Sequence, residues 1–167
     1  MLQAYLESIS LIERLHRQFL DVVKAELDGL GMRDINNVQS LILFNIGTEE
    51  LTVGELTQRG YYLGSNVSYN LKKMVEAGYI LQERSPHDRR SVRIRLSDKG
   101  VALWQRLSEM FRRHAGRLEA AGHSLDQANA SLRDLERFWA AAQTSLPRVE
   151  QRAYGVAVPA AGVAASF

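Results

Sequence analysis

Residues 79–96 constrain the fold of this chain more than any other stretch. Tyr79-Ile80-Leu81-Gln82-Glu83-Arg84 and Ser91-Val92-Arg93-Ile94-Arg95-Leu96 both alternate, and the polar run Ser85-Pro86-His87-Asp88-Arg89-Arg90 separates them. A period of two marks a strand with one face on a core and the other in water. The pair predicts a two-stranded hairpin in which Val92, Ile94 and Leu96 face inward and Arg93 and Arg95 face outward. Arg89 and Arg90 then stand at its tip.

Around this hairpin the chain reads as helix. Leu2, Leu6, Ile9, Ile12, Leu15, Phe19, Val22, Val23, Leu27 and Leu30 recur at spacings of three and four, giving one amphipathic helix over 2–30 that Gly29 and Gly31 stop. Asp34 reads as the N-cap of a second helix, with Val38, Leu41, Ile42 and Phe44 on its apolar face and Gly47 at its end. Leu51-Thr52-Val53 is a short β-like piece. Thr52 and Glu55 have the spacing of a capping box and open a short helix to about Arg59. After the turn Gly60-Tyr61-Tyr62-Leu63-Gly64, Ser65 is expected to cap a helix that buries Val67, Leu71, Met74 and Val75 and closes on Gly78. Beyond the hairpin, Ser97 caps a helix from Asp98 to about Ala121, with Trp104, Leu107, Phe111 and Leu118 on its apolar side. A last helix carries Leu125, Ala128, Leu132, Leu135, Trp139, Ala142 and Leu146 at heptad-like spacing, and Pro147 ends it.

Composition narrows the function. Apolar residues make up 46% of 167, enough to bury a core, which excludes a globally disordered chain. The absence of cysteine removes disulfides, thiolate metal sites, cysteine nucleophiles and thiol redox sensing, and fits a reducing compartment. Met1 leads into Glu7 and Glu13 with no apolar run between, so no signal peptide is expected. No window of about 18 apolar residues predicts a membrane span, and a cytoplasmic location follows as the expectation.

The formal net charge of +2 conceals an uneven distribution. Arg59, Lys72, Lys73, Arg84, Arg89, Arg90, Arg93 and Arg95 face only Glu76, Glu83 and Asp88 within residues 59–95. That segment is therefore strongly basic and the rest weakly acidic. Clustered cations suit a phosphate backbone because they displace its condensed counterions. On the helix before the hairpin, the apolar stripe leaves Ser65, Asn66, Ser68, Tyr69, Asn70, Lys72 and Lys73 pointing away from the core. Such groups reach base edges or phosphates in a major groove. Asn66, Ser68 and Tyr69 are the candidates for base contact, and Ser65, Lys72 and Lys73 for phosphate contact. The alternative for any one polar helix face is plain solvation.

Asp88, Arg90 and Ser91, followed by the alternating strand and then Leu96-Ser97-Asp98-Lys99-Gly100, strongly resemble the wing of MarR-family regulators. Leu51-Thr52-Val53-Gly54-Glu55-Leu56 and Leu71-Lys72-Lys73-Met74-Val75-Glu76-Ala77-Gly78-Tyr79-Ile80 are similar to that family as well. The resemblance covers residues 35–100 by motif and the whole chain by element order. It implies a mainly α fold with a small β-hairpin wing: a winged helix-turn-helix DNA-binding domain flanked by N- and C-terminal dimerisation helices. The divisions expected are 1–33, 34–100, 101–146 and a tail at 147–167. It further implies a homodimer on double-stranded DNA, each wing tip near a minor groove, with Asp88 organising the wing for Arg89 and Arg90. A pseudo-palindromic operator, repression and a small-molecule effector complete the expectation. One departure bears on the target: Tyr69 stands where many members carry an arginine.

The long apolar faces of the first and last helices support the dimer, with Leu125, Leu132, Leu135, Trp139 and Leu146 as the expected seam. His16, His87, His114 and His123 form no metal-binding spacing, so neither a metal nor any other cofactor is expected. A P-loop lysine and a nucleophile elbow are both missing, and enzyme activity is not expected. The competing reading is a winged-helix module that turns its basic face to protein or RNA.

Overall fold

The computed structural model describes residues 1–60, 64–84 and 92–145. Their order is α1 (Leu2–Gly29), α2 (Asn37–Ile46), β1 (Leu51–Thr52), α3 (Val53–Gly60), α4 (Gly64–Glu76), β2 (Ile80–Arg84), β3 (Val92–Leu96), α5 (Asp98–Ala120) and α6 (Asp126–Ser145). The chain divides into two units, Met1–Ala120 and Ala121–Phe167.

In the first unit the hairpin has the expected alternation. Ile94 and Leu96 are buried, Val92 is half-buried, and Arg93 and Arg95 are exposed. The strand order is β1-β3-β2, so β3 is central and pairs antiparallel on both sides. Leu51 lies opposite Ile94 and Thr52 opposite Arg93, which puts the start of α3 against the hairpin. Thr52 and Glu55 form the expected capping box: the Thr52 amide and hydroxyl donate to Glu55 at 2.7 and 2.9 Å, and the Glu55 amide donates back at 3.2 Å. Those two donors, the amide first, hold the Glu55 carboxyl below its usual range.

α2 is central and corrects its sequence reading twice. Its N-cap is Asn36, not Asp34: the Asn36 side chain accepts from the Gln39 amide, and the Gln39 side chain accepts from the Asn36 amide. Its core residues include Leu43 and Ile46, which lie off the expected stripe, whereas Val38 on that stripe is exposed. The cause is position. α2 touches α1, α3, α4 and α5, so it is buried on more than one face and single-stripe reasoning undercounts it. Four aromatic rings mark its junction with α1 and α5. Phe44 stacks on Trp104 at 5.9 Å and meets Phe111 edge-on at 4.8 Å, and Phe111 stacks on Phe19 at 6.0 Å.

Along α1 only Val23 and Leu27 are buried. Leu2, Leu6, Leu11, Leu15, Phe19 and Val22 remain exposed. In the second unit, Leu125 and Leu132 are exposed while Leu135, Trp139 and Ala142 are half-buried. Leu146 and the tail lie outside the described residues. Among the described residues, no helix is long and apolar enough to cross a membrane.

Candidate nucleic-acid interface

α4 is built as a two-sided helix. Val67, Leu71 and Met74 are buried and Val75 half-buried, as the spacing predicts. Asn66, Ser68, Tyr69, Lys72 and Lys73 are exposed on the other side. Tyr69 is 63% exposed, so most of its ring and hydroxyl stand in solvent beside Asn66 and Ser68 on α4. Asn70 is half-buried and donates to the Asn66 carbonyl at 2.8 Å. The helix opens at Gly64, so Ser65 sits in its first turn instead of capping it.

The end of α4 is fastened in an ordered way. Gly78 takes φ +78°. Its amide donates to the Val75 carbonyl, and the Tyr79 amide to that of Met74, the paired bonds of a Schellman cap. The next three carbonyls are then taken up by the segment after β3. Lys99 donates to Ala77 at 2.8 Å, the Ser97 hydroxyl to Gly78 at 2.6 Å, and the Ser97 amide to Tyr79 at 3.0 Å. A Cβ on Gly100 would collide with the Tyr79 carbonyl oxygen, so glycine is what lets the two backbones meet. Ser97 also caps α5 through the Gly100 amide, as expected.

Asp34 joins this cluster from the α1–α2 connection. It accepts from the Lys99 ammonium at 2.5 Å and from the Tyr79 hydroxyl at 2.7 Å, while that ammonium lies 4.1 Å from the centre of the Tyr79 ring. Lys99 first, then Tyr79, holds the Asp34 carboxyl below its usual range; burial, then Asp34, pushes the Tyr79 phenol up. Sequence reasoning gave Asp34 to the wrong task and missed the cluster. The Lys99-Gly100 pair was a signal of it, without indicating the partners.

Not every base in the positive segment has its charge free. Arg59 pairs with Glu49 at 2.6 Å, Arg93 with Glu50 at 3.0 Å, Arg95 with Glu83 at 3.7 Å and Lys73 with Glu76 at 3.2 Å. Among the described residues, Lys72 is the α4 cation that enters none of these ion pairs. It lines a groove of about 560 Å³ between α4 and the hairpin, with Ser68, Glu76 and Gln82. Gln82 is an addition to the sequence reading: it lies opposite Ile94 and faces the same side of the sheet. Asp88, Arg89 and Arg90, together with the Ser65 side chain, lie outside what is described. Among the described residues no cluster of acidic or imidazole side chains is placed to hold a metal ion.

A capped helix pair, α3 and α4, followed by a hairpin pinned to its base defines a winged helix-turn-helix protein. Residues 33–91 match the sequence profile of the MarR family. The chain is 40% identical over 141 residues to the exopolysaccharide II synthesis transcriptional activator ExpG of Rhizobium meliloti (strain 1021), covering 83% of this chain and 73% of that one. Its fold is similar to that of Streptococcus pneumoniae FabT in complex with DNA (TM-score 0.62, 21% identity, 84% of this chain and 98% of that one). It is also similar to the S. aureus MepR–DNA complex (TM-score 0.63, 18% identity, 80% and 96%). The chain belongs to the MarR family of DNA-binding transcriptional regulators.

Proposed function

We propose that this protein regulates transcription as a homodimer that reads a pseudo-palindromic operator in double-stranded DNA. The observation that carries this is α4, which exposes Asn66, Ser68, Tyr69 and Lys72 above the buried Val67, Leu71 and Met74. In this reading α4 enters the major groove, Asn66, Ser68 and Tyr69 meet base edges, and Ser65 and Lys72 meet phosphates. Lys73, paired with Glu76, is the weaker phosphate contact. The wing tip reaches the minor groove through Arg89 and Arg90, ordered by Asp88.

The second copy supplies what one chain lacks. The row Leu2, Leu6, Leu11 and Leu15 on α1, and Leu125, Leu132 and Phe138 in the second unit, are exposed apolar surface of the kind that marks an interface. A small apolar effector fits the 590 Å³ pocket between α1, α2 and α5, where Phe19, Phe44 and Phe111 form the walls and His16 and Asn45 supply polar groups.

Repression is the expectation from the sequence; activation is the second reading, and the name of the Rhizobium meliloti relative favours it. Footprinting of the protein on the DNA upstream of its own gene tests the central reading. Two protected half-sites about one helical turn apart are expected. The absence of any specific complex at modest salt would favour a protein or RNA partner for the basic face. Transcription from the footprinted promoter with and without protein separates activation from repression.

A further inference from the structure

Lys99 is an exposed cation at the root of the wing, and its charge alone would count it among the groups that attract DNA. Its bonds point elsewhere. The ammonium is held by the Asp34 carboxylate at 2.5 Å and the Ala77 carbonyl at 2.8 Å, and it lies over the face of the fully buried Tyr79. Each contact belongs to a different structural duty. Ala77 is the exit of α4, Tyr79 leads into β2, Asp34 belongs to the connection from α1, and Lys99 itself opens α5 directly after β3. One ammonium thus ties the reading helix, both ends of the hairpin and the α1–α2 connection together.

We propose that Lys99, Asp34 and Tyr79 are positioning residues for DNA recognition: they fix the angle between α4 and the wing, and Lys99 does so without contacting phosphate. This rests on the DNA-binding reading above. The triad also makes the α1–α2 connection part of the reading head, so a displacement of Asp34 reaches α4 and the wing through one shared group.

The sign of two substitutions separates positioning from simple attraction. If Lys99 acted by charge, Lys99→Met would weaken DNA binding and lower the salt slope by about one, and Asp34→Asn would tighten binding. If the triad positions, both weaken specific operator binding by roughly tenfold with the salt slope unchanged, and the double variant is no worse than either alone. Tyr79→Phe keeps the ring beneath the ammonium and removes only the bond to Asp34, so a smaller loss in the same direction is expected. Should Lys99→Met fail to fold, Asp34→Asn and Tyr79→Phe carry the same comparison. Hydrogen exchange of the free protein adds a readout independent of DNA: the Ser97 amide, bonded to Tyr79, should lose protection in the variants.

Tighter binding by Asp34→Asn, or unchanged binding by both single variants of a wild-type protein that binds its operator, overturns the inference and leaves the DNA reading standing. A wild-type protein that binds no DNA overturns both.

Discussion

Arg93, on the outward face of β3, donates to Glu50, the residue before β1, at 3.0 Å across 43 positions of sequence. Both side chains are about half exposed, so the pair contributes little to stability, in the range of about 0–1 kcal/mol. Its consequence for binding is larger, because Glu50 neutralises a cation on the wing. Glu50→Gln should tighten binding to any DNA a few-fold and steepen the salt dependence by up to about one charge. Titrations across a salt series, with a thermal melt as control, check this. An unchanged slope would place Arg93 away from the phosphates.

Lys72 and Lys73 are neighbours in sequence and unequal in surroundings. Lys72→Ala should lower the salt slope by about one, and Lys73→Ala should change it less, because Glu76 already screens that ammonium. Equal slopes for the two variants would remove the distinction.

For the base contacts, Asn66→Ala should relax the preference at particular positions of the half-site, at about 1–3 kcal/mol if the amide bonds a base in bidentate fashion. Selection of bound sequences from a random pool measures this directly. An unaltered consensus would assign Asn66 to the backbone or to solvent.

On the wing, the double variant Arg89→Ala, Arg90→Ala should weaken binding to all DNA and flatten the salt slope, with a stability change under about 0.5 kcal/mol. Asp88→Ala is expected to weaken binding too, through lost loop order, although it removes a negative charge near DNA. Tighter binding by Asp88→Ala would show that Asp88 does not organise the loop.

The Asp34 carboxyl gives a pH dependence of definite sign. Its value in the folded protein lies below the unfolded one, so the stabilisation it provides is fully present above the ordinary carboxylate range of about 4 and is lost as pH falls through the lower, folded value. Asp34→Asn should therefore melt earlier than wild type at neutral pH, with a gap that closes on acidification. A gap independent of pH would show that the ionised carboxylate is not what matters.

Much of this architecture was legible because the signals were local. The Thr52–Glu55 box, the Gly78 terminator, the Ser97 cap and the Val92-Ile94-Leu96 alternation each need only a few adjacent residues, and each stands where the sequence placed it. Asp34 shows the limit. Its position ahead of an apolar run fits an N-cap, and its real partners, Tyr79 and Lys99, lie 45 and 65 residues away. The charge tally over 59–95 was correct as a sum but blind to space. Glu49 and Glu50 fall outside that window and return to it, Glu50 through the pairing of β1 with β3 and Glu49 through Arg59 at the end of α3. The heptad spacing after Leu125 predicted a helix and could not say what meets it, since a partner surface leaves no trace in the spacing of one helix.

The ring series Trp104–Phe44–Phe111–Phe19 gives the molecule its own optical reporter. The chain has two tryptophans, and Trp104 is the one whose indole stacks on Phe44 at 5.9 Å within a series that spans α1, α2 and α5. With Trp139 replaced by phenylalanine, all indole emission comes from that junction. Any molecule that wedges between Phe19 and Phe44, or any rearrangement that separates these helices, changes the colour and intensity of that light without a label being attached.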